Sequence, residues 1–141
     1  MPAQAPDDRR LCVPYPAAMH GRAWILLGCS WAALGVVLGA FGAHLLADTL
    51  TPEQLVTWDT AVRYQLVHAL ALVAFGLFGE RSSGKDYPGV LLLLGSLFFS
   101  GSLYALCFGF LTKVMGPITP LGGLMMILGW LGFAHEARRR R

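Results

Sequence analysis

Trp58-Asp59-Thr60-Ala61-Val62-Arg63-Tyr64-Gln65-Leu66-Val67-His68-Ala69-Leu70-Ala71 begins as a wet, charged helix start and ends inside an apolar run. Between those ends it carries Arg63, Tyr64, Gln65 and His68 toward lipid depth. Polar side chains are costly there and are kept for a reason, structural or functional. The fold follows from what flanks this stretch.

Working outward, charge-free runs alternate with short charged breaks. Ala23 to Ala47, Tyr64 to Gly79, Tyr87 to Thr112 and Val114 to His135 contain no Asp, Glu, Lys or Arg. Spanning the hydrocarbon takes about 20 apolar residues, within a range of roughly 17–25. The first and third runs suffice outright. The second does so once its polar start is counted, and the fourth despite Pro117 and Pro120. The totals agree: of 141 residues, 55% are hydrophobic and 13% charged, against about 25% charged in a soluble domain. A soluble all-α domain needs amphipathic faces, whereas these runs are apolar all round. The sequence therefore predicts an all-α, four-helix transmembrane bundle embedded in the lipid bilayer.

Charge placement predicts its orientation. Arg9, Arg10 and Arg22 precede the first run, Arg81 and Lys85 part the second from the third, and Arg138 to Arg141 end the chain. With four spans these segments share one side, and the positive-inside rule makes that side the cytoplasm, N-in and C-in. The opposite side keeps Arg63 and Lys113 with Asp48, Glu53 and Asp59. Nucleic-acid binding is not expected of the arginine tail, because arginines beside a membrane helix set topology or touch anionic lipid. The location this implies is a bacterial cytoplasmic (inner) membrane, crossed several times.

Residues 1–18, with four prolines and scattered charge, predict a mobile extension. Met19 precedes the first span directly and is an alternative start of translation. Residues 19–135 form a single membrane domain and residues 136–141 a basic cytoplasmic tail. The first run exceeds the ~7–15-residue apolar core of a signal peptide, so an uncleaved helix is expected. That helix, about Ala23 to Leu46, carries Gly28, Ala32, Gly35, Gly39 and Ala43 (or Gly42) on one stripe, which admits a close neighbour. Packing within the chain is the plain reading; a homo-oligomer through Gly28, Gly35, Gly39 and Ala43 is the alternative. Trp24 is expected at the membrane interface. Thr51-Pro52-Glu53-Gln54 predicts a capping box opening a helix from Pro52 to about Phe78, with Trp58 as an interfacial anchor. Gly79 to Gly89 reads as a polar turn, and a third helix is expected from Pro88 to Phe110. Gly116-Pro117-Ile118-Thr119-Pro120 reads as a rigid turn, with Thr119 capping a short last helix from Pro120 to about Ala134.

On helix geometry Ala61, Tyr64, Gln65 and His68 fall within about a 100° arc, while Asp59 and Arg63 lie opposite, spaced to pair at the interface. Helix rise places His44 roughly 5 Å in from the outer surface, Tyr64 and Gln65 about 6–8 Å, Tyr104 about 9 Å, and His68 and Ser102 about 12 Å. Thr119 opens the last helix near the same surface, and Ser96, Ser100 and Tyr104 share a face of the third. Two readings compete for this layer. One is a hydrogen-bonded clasp that fixes helix register. The other is an outward vestibule that binds a small ligand or passes a proton, with His44 and His68 titrating.

No catalytic constellation is present, and no acid lies within a span. General acid–base work would rest on histidines alone. No metal or cofactor is expected either. The depths of His44 and His68 differ by about 7 Å, which is wrong for opposite faces of one haem iron. Cys12, Cys29 and Cys107 show no zinc or disulfide spacing.

Gly39-Ala40-Phe41-Gly42-Ala43-His44, Thr60-Ala61-Val62-Arg63-Tyr64-Gln65 and His68-Ala69-Leu70-Ala71-Leu72 occur in order along the chain. Leu97-Phe98-Phe99-Ser100-Gly101-Ser102-Leu103-Tyr104 and Gly116-Pro117-Ile118-Thr119-Pro120-Leu121-Gly122-Gly123 follow. Together they resemble the YgdD-like family of small bacterial membrane proteins, a domain of unknown function with eukaryotic relatives, over about Ala23 to Phe133. The resemblance implies an integral membrane protein and no assigned activity. It implies shared motif positions at His44, Tyr64, Gln65, His68, Ser100, Tyr104 and Thr119. The expectation is a non-enzymatic accessory or scaffolding membrane protein; the alternative is a small carrier or channel for a proton or solute using His44, Gln65 and His68.

Overall fold

The structure, a computed structural model, describes residues 17–79, 86–110 and 112–139. Four helices follow in order: α1 (Ala17–His44), α2 (Pro52–Gly79), α3 (Tyr87–Cys107) and α4 (Thr112–Arg138). Each is long and apolar enough to cross a membrane, and among the described residues there is no strand. Packing concentrates on three interfaces, α1 with α2, α2 with α3, and α3 with α4. Half of the most apolar window of α2 is buried inside the bundle, against 17% for α1 and for α4, so α2 lies at its centre.

Why α2 takes the centre is written in its spacing. Trp58, Ala61, Val62, Gln65, His68, Ala69, Leu72, Phe75 and Gly76 are buried, at steps of three, one and three. Such steps keep one face turned to a partner helix. The remaining face, including Val56, Val67, Leu70 and Leu77, is exposed, as lipid-facing leucines and valines are.

Glycine brings the helices together. A Cβ on Gly28 would lie 2.7 Å from the Ala69 carbonyl oxygen of α2, and one on Gly35 would lie 2.8 Å from Leu66. On Gly76 it would lie 2.6 Å from the Gly21 carbonyl oxygen of α1. The small-residue stripe of α1 is thus taken by α2. Gly39 also faces α2, at Val62, whereas Ala43 is exposed. In the second hairpin the approach is of backbone to backbone: a Cβ on Gly122 would lie 2.5 Å from the Phe99 nitrogen and 2.8 Å from the Gly95 oxygen.

Several expected boundaries move. Helix α1 starts at Ala17, so Ala17 and Ala18 of the expected extension are helical, and residues 1–16 lie outside the described residues. Of the expected turn from Gly79 to Gly89, residues 80–85 lie outside them too, while Tyr87, Pro88 and Gly89 belong to α3. Glu136 to Arg138 continue α4. The larger correction is that Gly116-Pro117-Ile118-Thr119-Pro120 is no turn: it lies within α4, with both prolines inside the helix. Each proline removes one backbone bond. In lipid, however, an open turn would strand more polar groups than a helix with two gaps, and hydroxyl side chains help refill such gaps. The Thr119 hydroxyl, between the two prolines, lies 3.2 Å from the Met115 carbonyl of the preceding turn; the carbonyls the prolines leave without an N–H are those of Lys113 and Gly116.

Candidate functional site

Gln65 is the centre of the polar layer. It has no exposed surface, and both ends of its amide are engaged. Its Nε2 donates to the Trp31 carbonyl oxygen of α1 at 3.0 Å, and its Oε1 accepts from the Tyr104 hydroxyl of α3 at 2.9 Å. Around it the same three helices are tied again. Ser100 Oγ donates to the Ala61 carbonyl oxygen at 2.8 Å, and Trp31 Nε1 donates to Ser96 Oγ at 3.0 Å. Trp58 is buried between helices: Gly42 leaves room for the indole, whose Nε1 donates to the Leu38 carbonyl oxygen at 2.9 Å. Its ring meets that of Tyr104 with centroids 4.5 Å apart.

The ends of the helices are pinned by the same chemistry. The capping box forms as expected, with Thr51 N donating to Gln54 Oε1 at 2.8 Å and Gln54 N donating to Thr51 Oγ1 at 3.3 Å. Gln54 Nε2 remains free for α3 and donates to the Cys107 carbonyl oxygen at 2.9 Å. Cys107 Sγ answers to the Gln54 carbonyl oxygen at 3.3 Å. Trp24, also buried, donates its Nε1 to Asp86 at 3.1 Å, just before α3 begins.

The eight residues of the expected cluster separate into groups. Gln65, Tyr104 and Ser100 belong to the central network just described. Ser102 and Thr119 form a second group that joins α3 to α4, their hydroxyl oxygens 2.7 Å apart. His68 belongs to a third, facing α4. Its Nδ1 is 2.8 Å from the Tyr64 carbonyl oxygen, and Trp130 Nε1 donates to its Nε2 at 3.2 Å. A carbonyl can only accept, so Nδ1 carries the proton and the ring is neutral. Tyr64, 41% exposed, stacks on His68 and leans on Phe99. His44 is exposed at the end of α1 and joins none of these groups. Asp59 and Arg63 pair as expected, at 2.6 Å.

Trp31, Trp130, Gln54 and Cys107 take part without having been singled out for it, whereas Ser96 was expected on the face it shares with Ser100 and Tyr104. A tryptophan inside an apolar run is the signal that was available, because a buried indole N–H seeks an acceptor. Among the described residues every buried side-chain nitrogen or oxygen has a hydrogen-bond partner. No three His, Cys, Asp or Glu side chains gather among them.

Comparison with known proteins places this geometry in context. Residues 38–123 match the model of a family described as "Protein of unknown function (DUF423)". The chain is 42% identical over 111 residues to a UPF0382 membrane protein of Staphylococcus epidermidis, covering 78% of this chain and 90% of that one. It is 39% identical over 113 residues to the UPF0382 membrane protein YwdK of Bacillus subtilis, covering 78% and 91%. A UPF0382 membrane protein of Schizosaccharomyces pombe is 40% identical over 102 residues, covering 69% and 86%. No solved structure matches.

Proposed function

The chain belongs to the DUF423 family, whose relatives bear the name UPF0382 membrane proteins, and on that premise we propose that it is a non-enzymatic accessory or scaffolding protein of a bacterial cytoplasmic membrane. The motif resemblance supports grouping it with the YgdD-like proteins, and the positions of Arg22 and Arg138 to Arg141 support a topology with both termini in the cytoplasm. The observation that carries this reading is Gln65: it donates to α1 and accepts from α3, and with no exposed surface it offers a solute no access. Interhelical bonds of this kind contribute about 0.6 kcal/mol each on average. Several together therefore specify one register more than they stabilise it. The outcome is a rigid body whose lipid-facing surfaces are available to another membrane protein.

The rival, a carrier for a proton or small solute, needs His44, Gln65 and His68 on one path. The exposed position of His44 and the engagement of both nitrogens of His68 weigh against it. Purified protein in liposomes decides between them. Proton flux and solute uptake no greater than in empty liposomes, unchanged by His68→Ala, are expected. Mild-detergent isolation at native expression level should yield a fixed ratio of one other membrane protein. Flux above that of empty liposomes that His68→Ala abolishes would overturn the proposal.

A further inference from the structure

We propose that the outward face of α2 pairs with the same face of a second copy of this chain, about a twofold axis beside Asp59 and Arg63. This goes beyond the scaffolding role and does not depend on it. Copies of one chain insert the same way round, so such an axis stands along the membrane normal and sets equal residues at equal depth. An interface built on it must be self-complementary: what one copy offers, the other receives at the same level.

Asp59 and Arg63 meet that condition. They pair at 2.6 Å, with side chains 64% and 72% exposed. Arg63 is the last charge before the uncharged run that begins at Tyr64. A charge turned to hydrocarbon is costly, and an exposed pair at this spacing adds little to its own helix. Arg63 reaches back one turn, so its guanidinium already lies at the level of the Asp59 carboxylate. Across the axis the same two groups lie at that level in the second copy. A guanidinium carries five N–H donors, enough for a second carboxylate. Each therefore meets the carboxylate opposite, and four charges close into a neutral ring shielded from lipid.

Shape agrees with charge. A groove of about 240 Å³ runs beside Asp59, with Gly39, Ala43 and Ala47 on one wall and Trp58, Asp59 and Val62 on the other. Of the α1 stripe, Gly28 and Gly35 are filled by α2, whereas Gly39 and Ala43 remain to line this groove. At 3.6 residues per turn, Trp58 and Val62 stand about 60–100° to one side of Asp59, and Val56 and Thr60 about 60–100° to the other. A twofold axis sets one flank of each copy against the opposite flank of its neighbour. Val56 of one copy thus faces the groove of the other, at a depth where Leu55, Trp58 and Asp59 line it. Val56 is 68% exposed, and nothing on the facing α1 wall is larger than a methyl group. Val67, Leu70 and Leu77, all exposed, continue the same face into the apolar region.

The test is energy transfer between donor- and acceptor-labelled full-length protein in liposomes of phosphatidylethanolamine and phosphatidylglycerol, over a range of protein-to-lipid ratios. The wild type should pair with a stoichiometry of two. Asp59→Lys gives each copy two cations and Arg63→Glu gives each two anions, so either variant alone should pair at least tenfold more weakly. Donor-labelled Asp59→Lys mixed with acceptor-labelled Arg63→Glu should pair about as well as the wild type, because opposite charges again face across the interface. Ala43→Phe, which fills the groove, should weaken pairing about tenfold. All three positions are exposed, and a helical circular-dichroism spectrum checks that the variants fold. A wild type that stays monomeric would overturn the proposal regardless of the variants, leaving the face to lipid or to a different protein. Folded variants that pair as the wild type does, or a mixture that fails to recover, would overturn it too.

Discussion

The α1–α2 seam and the α3–α4 seam solve one problem in two ways. Both helix pairs cross where glycine removes the side chain, since lipid supplies no hydrophobic drive for helices to associate. In the first seam the glycines also uncover acceptors. Trp31 and Leu38 lie four residues before Gly35 and Gly42, and their carbonyl oxygens receive Gln65 Nε2 and Trp58 Nε1. Both sets repeat at seven residues, 31 and 38 on α1 against 65 and 58 on α2. A slip of α2 along α1 would break both bonds together. The second seam relies on contact: Gly95 against Gly122, Leu92 against Gly129, with one hydroxyl pair, Ser102 and Thr119, beside them. One seam specifies register by directional bonds, the other by shape.

That contrast is broken most forcefully at Gly122. A Cβ there meets the Phe99 nitrogen and the Gly95 oxygen, both backbone, and neither can swing aside. Gly122→Ala should cost about 3 kcal/mol or more, the upper part of the range for overpacking, in reversible unfolding from mixed micelles. A loss under about 1 kcal/mol would mean that the seam relaxes and is not held by shape. The corresponding test of the first seam is Gln65→Leu, close in volume but without the amide. Trp31 keeps its own helical backbone partner, while the Tyr104 hydroxyl loses its acceptor. The expected loss is about 1–2 kcal/mol, from two bonds and one stranded hydroxyl. Adding Tyr104→Phe should recover part of it, because the hydroxyl then no longer needs a partner. Absence of any recovery would show that the two residues are not coupled.

How far the sequence carried depends on which physics acted locally. The spans, the Thr51–Gln54 capping box and the Asp59–Arg63 pair were legible because each depends on neighbours in the chain. The burial of Gln65 and Ser100 was legible from helix periodicity. Their partners were not, since choosing Tyr104 for Gln65 but Thr119 for Ser102 requires knowing which helices adjoin. Local turn chemistry misled at Pro117 and Pro120, where the demand of lipid for backbone bonding kept α4 continuous. The burial of Trp58 was not legible in the sequence either, because it depends on Gly42 of the neighbouring helix making room for the indole. The seven-residue spacing of Gly21, Gly28, Gly35 and Gly42 was on the page, obscured by Ala32, Gly39 and Ala43 among them.

The smallest effect sharpens the contrast most, because it asks whether the one polar bond in the contact seam matters. Ser102 and Thr119 lie 2.7 Å apart, and each also has a carbonyl of its own helix in reach, Phe99 and Met115 respectively, so two hydroxyl protons alternate among three contacts. Removing Ser102 therefore strands nothing: the Thr119 hydroxyl keeps Met115, and the Phe99 carbonyl keeps its place in the helix. Ser102→Ala should cost about 0.6 kcal/mol, the average for a single interhelical bond in a membrane. That is well below the effect of Gln65→Leu in the same unfolding assay. Should the two losses prove equal, the hydroxyl pair would be setting register as the amide does, and the seams would differ in degree only.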